Sequence, residues 1–372
     1  MPVKSRVLLV IGITIVWLIS TAAKIKYNGL AYGLDYGLYH PDGTLYTFRT
    51  LTLLGHSEIE AGNLVSNWYA EHAFKMKYFE PSSLFFDVHP MWQIYKPKVL
   101  YPILSVPFVA LLGIPGMLAV PALSMLILLI SVMLIGFKLK NENFAFLIAL
   151  FFSITPVVSR WMYANITDGL LTAITCIFVT SFLYIKKDSS FLPIAIFLVI
   201  LGSLTRVSLL LWLAICIGIY ISNQKRSAII LALTSLIMFI PSAIGNLGTG
   251  ILPNEQAGSL FERPVQLFLS MIRVGFFELG QLVVLDRILL CLLVLAVGGS
   301  VMNFSRLSSK FFLLVLISLW ITGAVNGTIG VNFRYQLPLL PFTAYILLDS
   351  FRIKFEFMKF GRGSLGLRKL KK

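Results

Sequence analysis

The residues YGLDYGLYHPDGTLY, at positions 32–46, open a long polar segment in an otherwise apolar chain. They follow an apolar run at 7–23, and the polar character continues to about residue 98. Two carboxylates, Asp35 and Asp42, lie in the quoted stretch among tyrosines, glycines and a proline. Irregular backbone is stable only outside the hydrocarbon of a membrane or packed within protein. We therefore interpret this loop as the functional part of the chain.

Composition identifies the class of protein. Hydrophobic residues make up 58% of the chain, charged residues only 13%, and the mean hydropathy is +0.86. Soluble domains have about 25% charged residues. Apolar runs near the length that crosses a bilayer recur along the chain. The sequence therefore predicts an all-α polytopic membrane protein that forms a single domain over residues 1–372.

The apolar runs predict about ten transmembrane helices. Both ends of the chain are then expected in the cytoplasm. The predicted spans are 7–23, 116–137, 143–159, 169–185, 190–205, 206–222, 227–246, 287–304, 311–327 and 335–351. Residues 99–113 are apolar but short, and Pro102 and Pro107 interrupt them. A full span there would reverse the sidedness of everything that follows, so we interpret them as a re-entrant or juxtamembrane helix.

Two long segments are predicted on the outer side. The first, 24–115, contains an amphipathic helix at 58–74 and the short helix at 99–113. The second, 247–285, contains further amphipathic helices, and 352–372 form a basic cytoplasmic tail.

The net charge of +15 follows from this topology. More than half of the 31 Lys and Arg residues fall in predicted inner segments, which is the positive-inside pattern of a plasma (inner) membrane protein. The basic tail adds attraction to anionic membrane lipids. No folded soluble domain exists to read a nucleic-acid groove, so a nucleic-acid partner is excluded.

Several arginines do not follow the positive-inside pattern, because they lie at helix ends that are predicted on the outer side of the membrane. An arginine fork suits a phosphate because it makes two charge-assisted hydrogen bonds, although such a residue can also extend to the lipid headgroups. Asp168 begins a span and either caps that helix or positions a substrate. Asp286 and Arg287 are most simply a local charge pair. The outer arginines are Arg160, Arg206, Arg263, Arg273, Arg287 and Arg334.

No cofactor signature is present. Walker, GxGxxG, GxSxG and HExxH motifs are missing from the sequence, and the three cysteines fall inside apolar runs. All four histidines lie in the first loop, where with Asp87 they offer a weak candidate metal site. The histidines are His40, His56, His72 and His89.

The layout resembles the GT-C superfamily of integral membrane glycosyltransferases. The resemblance rests on Asp42 in HPDGTLY, on KPKVLYPIL at 96–104, TDGLLTA at 167–173, SLTR at 203–206 and NFRYQLPLLPF at 332–342. It covers most of the chain as architecture, although each motif is short. The usual Asp-Glu pair of that family is not present, since Gly43 follows Asp42, and both Asp42 and Asp35 stay candidates for its catalytic acid.

The resemblance implies a donor in which a sugar is attached to a polyprenyl phosphate, and a glycan, lipid or protein acceptor. The carboxylate of Asp42 or Asp35 would act as general base on the acceptor hydroxyl, and arginines would stabilise the leaving phosphate. A divalent metal could bridge carboxylate and phosphate, but nothing in the sequence requires one. The expected substrate-binding residues are Arg334, Arg206, Asp168, Tyr335, Lys98, His89 and Arg273.

Two other classes use the same features. A transporter or flippase of a lipid-linked or anionic envelope precursor would use the same arginines, but it should carry charges in the middle of its spans. A non-catalytic partner in envelope polysaccharide synthesis is the third alternative.

Overall fold

The computed structural model describes residues 3–26, 38–39, 41–72, 97–206, 208–248, 262–325 and 333–351. These residues form helices joined by short turns, and the described part of the chain contains no strand. The expected all-α class is therefore confirmed. The described residues contain fifteen α-helices, which in chain order are α1 Val3–Lys26, α2 Pro41–Leu53, α3 Glu58–His72, α4 Leu100–Leu112, α5 Ala119–Leu139, α6 Glu142–Ile154, α7 Pro156–Tyr163, α8 Thr167–Tyr184, α9 Asp188–Thr205, α10 Leu209–Ile221, α11 Lys225–Gly248, α12 Glu262–Leu285, α13 Arg287–Met302, α14 Leu307–Val325 and α15 Leu340–Ser350.

Within the part of the chain that the structure describes, four helical segments are long and apolar enough to cross a membrane, and a bent pair could form a fifth span. Several shorter apolar helices, such as Leu209–Ile221 and Arg287–Met302, fall below that length. The structure thus supports a multi-pass membrane protein, whereas the expected ten spans are only partly reproduced. The four long segments are Ser5–Lys26, Ile114–Leu139, Thr167–Tyr184 and Asp188–Thr205.

The expected straight span at 143–159 is instead two helices, α6 and α7, which meet at an angle of 70°. Thr155 between them is extended, with φ −65° and ψ 131°, and Pro156 begins α7. A residue before proline is driven out of the helical region, and proline cannot donate the hydrogen bond that would continue α6. The bend turns α7 across the end of the bundle.

Helices α5 and α8 form the centre of the bundle. Nearly every residue of α8 from Thr167 to Val179 is buried, and α5 packs against α8, α6 and α1. Glycine allows close contact here, because a Cβ on Gly136 of α5 would overlap the side chain of Ala145 on α6. Apart from Asp168 and small hydroxyl residues, this part of α8 is apolar, as expected of a helix that other helices enclose.

Polar contacts mark the two ends of this bundle. At one end Arg6 binds Glu142 at 2.9 Å, and Asn141 donates to the carbonyl oxygens of Leu348 and Phe351. At the other end the Thr21 and Tyr163 hydroxyls lie 2.9 Å apart. The helical rise from Arg6 to Thr21 is about 22 Å, so the two layers are separated by most of the thickness of a hydrocarbon core. Arg6 and Glu142, both expected on the inner side, therefore lie at the same end.

The first loop contributes three of its helices to the opposite end. The amphipathic helix expected at 58–74 is α3, in which Val65 and Tyr69 are buried but Leu64 is exposed. The short segment at 99–113 is α4, whose 13 residues extend about 20 Å, too little to cross a hydrocarbon core of about 30 Å. Its length fits the expected re-entrant or juxtamembrane helix.

Helix α2 joins these elements to the bundle. Tyr46 on α2 packs edge-on against Tyr101 on α4, with ring centres 5.4 Å apart, and its hydroxyl lies 3.4 Å from the Thr167 hydroxyl at the start of α8. The start of α2 is thereby held beside the start of α8.

Candidate functional site

Four charged side chains form a continuous ion cluster at this end of the bundle. Arg334 donates from Nη2 to Asp42 Oδ2 at 2.6 Å and from Nε to Asp168 Oδ2 at 2.9 Å. Arg206 donates from Nη1 to the other oxygen of Asp168. The order of contacts is Asp42, Arg334, Asp168, Arg206, and the formal charges sum to zero. We call this group the ion cluster.

The backbone places each member at the end of a helix. Asp42 is in the first turn of α2 and Asp168 is in the first turn of α8, where the positive end of the helix dipole favours a carboxylate. Arg206 occupies the extended break between α9 and α10, and Arg334 lies in the turn that precedes α15. The charges therefore sit at helix ends and not in the middle of spans.

Asp168 does not cap its helix. The residue at the cap position is Ile166, and no side chain makes a capping hydrogen bond there. The carboxylate of Asp168 instead holds both arginines, one on each oxygen. Of the two roles that the sequence left open, the cap is excluded, and the residue orients the guanidinium groups that were expected to bind substrate.

Burial differs across the ion cluster. The exposed fraction of the side chain is 0% for Asp168, 11% for Arg334, 12% for Arg206 and 24% for Asp42. A buried charge is stable only when it is paired and its hydrogen bonds are made, a condition that this chain of contacts meets. Burial alone would lower the pKa of Arg334, but Asp168 and Asp42 outweigh it and raise that pKa well above its usual range. Asp42 is the most accessible member.

Aromatic rings flank the two arginines. The guanidinium of Arg206 lies 4.0 Å from the ring centre of Tyr335, and that of Arg334 lies 5.5 Å from the ring centre of Trp161 on α7. Both distances are within the range of cation–π attraction. Tyr335, expected to bind substrate, thus lies against Arg206, and the bend at Pro156 brings Trp161 to the site.

Lys98 adds a fifth charge near the ion cluster. Burial lowers its pKa from the usual 10.5 to about 8, and repulsion from Arg206 and Arg334 acts in the same direction, whereas Asp42 and Asp168 oppose the shift. The structure therefore brings Lys98, expected from the KPK motif, into electrostatic range of all four members.

A buried polar network lies beside Asp42, and the sequence did not point to it. Asn165 donates from Nδ2 to the Tyr69 hydroxyl, which lies 3.1 Å from the Thr47 hydroxyl. A Cβ on Gly43 would overlap the Asn165 side chain, so only glycine fits next to Asp42. The one sequence signal for Asn165 is its polar side chain in a short connection between apolar helices.

The remaining expected site residues lie apart from the ion cluster or outside the described residues. Asp35 and His89 lie outside the described residues, as does His40. Arg273 is exposed on α12, and Arg287 donates to the carbonyl oxygen of Val283 at 3.2 Å.

The sequence suggested a charge pair between Asp286 and Arg287, but the structure pairs Asp286 with backbone amides instead. Its carboxylate accepts from the backbone amides of Leu289 at 2.9 Å and of Val157 at 3.0 Å. It therefore caps α13 and fastens the start of α7 to it, since a buried carboxylate is best satisfied by the unpaired amides of a helix start.

No group of three or more His, Cys, Asp or Glu side chains is gathered within the described ranges in a way that would hold a metal ion. Asp42 and Asp168 carry the carboxylate oxygens that a divalent cation prefers, but Arg334 lies against both. A divalent metal therefore stays an expectation from the resemblance.

The helices and the ion cluster define the class of protein: an all-α chain with several helices of membrane-spanning length and a polar site at one end. Comparisons with protein-family models, with curated proteins and with solved structures give no match.

Proposed function

We propose that this protein is a membrane glycosyltransferase that moves a sugar from a polyprenyl-phosphate donor to an acceptor on the extracytoplasmic face. The observation that carries the proposal is the contact between Asp42 and Arg334, which the resemblance assigned separately to proton abstraction and to phosphate binding. A base and a phosphate ligand of one transfer reaction must belong to the same site, because the hydroxyl that the base deprotonates attacks the carbon from which the phosphate leaves.

The contact also suggests how the donor enters. Arg334 is shared between the accessible Asp42 and the fully buried Asp168. A donor phosphate that reaches Arg334 would replace Asp42, whereas Asp168 would keep both arginines oriented. Replacement frees the Asp42 carboxylate from its ion pair with Arg334, so that it can take the proton of the acceptor hydroxyl. Donor binding and activation of the base are therefore a single event.

The transfer step balances without a cofactor. An acceptor hydroxyl attacks the anomeric carbon, and the bond between that carbon and the phosphate oxygen breaks as the new glycosidic bond forms. The hydroxyl proton passes to Asp42, and the electron pair leaves with the polyprenyl phosphate. Arg334, Arg206 and protonated Lys98 stabilise the charge that develops on this phosphate. A divalent cation, if one is bound, would supply a further positive charge at the same place.

The positions of the charges favour an enzyme over the alternative transporter or flippase. A carrier needs polar groups along a path through the bilayer. The ion cluster instead occupies helix ends, and the central stretch of α8 that follows it is buried and apolar apart from small hydroxyl residues.

The test is incubation of the purified protein, reconstituted in vesicles, with a panel of radiolabelled polyprenyl-phosphate pentoses and hexoses and with delipidated cell-envelope glycans as acceptors. We expect free polyprenyl phosphate and a labelled glycan product. A carrier would move the lipid between leaflets and leave its sugar–phosphate bond intact. The Asp42→Asn protein serves as the inactive control, and Glu58→Gln, an exposed acid in the first turn of α3, serves as the matched control. No bond cleavage by the wild type, or cleavage that is equal in the wild type, in Asp42→Asn and in Asp35→Asn, would overturn the proposal.

A further inference from the structure

A cavity of about 270 Å³ lies between α12, α13, α14 and the turn at 333–336. Its walls are apolar side chains, among them Leu282, Leu293, Phe312 and Trp320. Only two of the side chains that line it carry a carboxylate or an amide, Glu278 and Gln336. The volume is slightly below the range of about 300–1,000 Å³ that small-molecule sites have, and it suits a single alkyl chain.

The two polar side chains each leave one acceptor unsatisfied. Glu278 is 6% exposed and Gln336 is 8% exposed, and the Oε1 atom of each is buried with no hydrogen-bond partner among the described residues. The second oxygen of Glu278 accepts from the backbone amide of Phe333. Trp320 has no donor to offer, because its Nε1 already donates to the carbonyl oxygen of Met271 at 2.7 Å.

Buried acceptors without partners are costly, by about 1–3 kcal/mol each, and they usually indicate a missing donor. A molecule that satisfies both must therefore present a hydrogen-bond donor at one end and an apolar chain along the remainder. A phosphate or a carboxylate does not fit, because it would bring negative charge and further acceptors to the same two oxygens. The cavity is thus unsuited to the headgroup of the lipid donor proposed above.

Burial raises the pKa of Glu278, while the hydrogen bond from Phe333 opposes the shift. A neutral hydroxyl loses less hydration on entering an apolar cavity than an ammonium group does, which favours a hydroxyl as the donor.

We propose that this cavity binds a single-chain lipid with a hydroxyl head, a long-chain alcohol in chemical terms, whose hydroxyl donates to Glu278 or Gln336. Leu279 and Val294 at its margin are exposed on the outer surface, which gives a lipid an entry from the side of the bundle. The inference does not depend on the proposed transferase reaction, since such a lipid would bind whether or not the ion cluster is catalytic.

Phe333 connects the cavity to the ion cluster, so a ligand bound in the cavity would affect the position of Arg334. This residue has a φ of 65°, in the left-handed region that bulky residues seldom adopt, and it immediately precedes Arg334. Glu278 holds its amide, so a ligand on the other oxygen of Glu278 bears directly on the turn that carries Arg334.

The probe is a long-chain primary alcohol with a photoactivatable diazirine in its chain, added to the purified full-length protein in detergent micelles. Mass spectrometry of the labelled peptides identifies the residues that are modified. We expect labels on α12, α13 and α14 at residues that line the cavity, and competition by the unlabelled alcohol. The matching methyl ether, which lacks the donor, should compete at least about tenfold less well, the loss expected when a buried acceptor stays unpaired.

Two variants complete the test. Leu293→Trp fills the cavity and should reduce labelling about tenfold or more, whereas Leu295→Trp places the same ring on the exposed side of α13 and should not. If Leu293→Trp fails to fold, Gln336→Leu, which removes one acceptor and keeps the volume, should weaken competition by the alcohol but not by the ether. Equal competition by alcohol and ether, stronger competition by the matching amine, or labels outside the cavity would each overturn the proposal.

Discussion

Arg334 Nη2 and Asp42 Oδ2 lie 2.6 Å apart although 292 positions separate the two residues along the chain. The contact joins the first turn of α2 to the turn before α15, and Asp168 on α8 holds Arg334 from the other side at 2.9 Å. It brings the first loop and the last helix of the described chain to one site.

Asp42→Asn should reduce glycosyl transfer by roughly a hundredfold to ten-thousandfold, the contribution that a general base makes. The protein should stay folded, because Arg334 keeps its bond to the fully buried Asp168. The measurement is the initial rate of polyprenyl phosphate release, together with the melting temperature in detergent. The exposed Glu58→Gln protein should retain the wild-type rate. Full activity in Asp42→Asn, with an inactive Asp35→Asn protein, would move the base to Asp35.

Arg334→Ala should raise the KM for the lipid donor by at least about tenfold, since it removes the guanidinium expected to meet the phosphate. Arg334→Lys should recover only part of the loss, because an ammonium group lacks the planar fork. The check is the dependence of the rate on donor concentration in mixed micelles. Arg226→Ala, an exposed arginine at the start of α11, is the matched control. An unchanged KM in Arg334→Ala would separate this arginine from donor binding.

Asp168→Asn should destabilise the fold by about 3–5 kcal/mol, because two largely buried guanidinium groups would lose the carboxylate between them. Heating in detergent, followed by circular dichroism, measures the loss as a fall in melting temperature. The double variant Asp168→Asn with Arg206→Gln should be more stable than the single variant, since it removes one of the uncompensated charges. A melting temperature equal to that of the wild type would mean that Asp168 does not hold the arginines.

Lys98 should make donor binding dependent on pH near neutrality. Its lowered pKa of about 8 keeps it protonated below that pH, where a cation assists phosphate binding, and removes the charge above it. We therefore expect the donor KM of the wild type to rise as the pH increases through about 8. The Lys98→Met protein should lack this rise, and Lys225→Met, at the exposed start of α11, should retain it.

The lowered pKa of Lys98 also makes the stability of the fold depend on pH, and stability should increase as the pH rises. The folded-state pKa of Lys98 lies below its usual 10.5, so the folded protein binds this proton less tightly than the unfolded chain does. Lys98 therefore costs stability when protonated at low pH, and the cost disappears as the pH rises from about 8 toward 10.5. A melting temperature that falls over this range in the wild type relative to Lys98→Met would contradict the sign.

The sequence by itself determined the helical class, the polar first loop and several helix limits, because hydrophobic periodicity and proline act locally. The helix at 58–74 and the short helix at 99–113 were read from these signals and are present as α3 and α4. The sequence also marked Asp42, Asp168, Arg206 and Arg334, since charged residues are conspicuous at the ends of apolar runs.

Only the tertiary structure decided which of these charges meet. Spacing along the chain says nothing about contacts between residues that are hundreds of positions apart, so the role of Asp168 as the anchor of two arginines was open until α8, α9 and α15 were packed together. The bend at Pro156 had a visible local cause, yet its consequence, Trp161 beside Arg334, depends on how α7 lies across the bundle. Asp286 likewise has an arginine next to it in sequence, but its carboxylate caps α13 at the nearby Leu289 amide, and packing adds the amide of Val157 on α7.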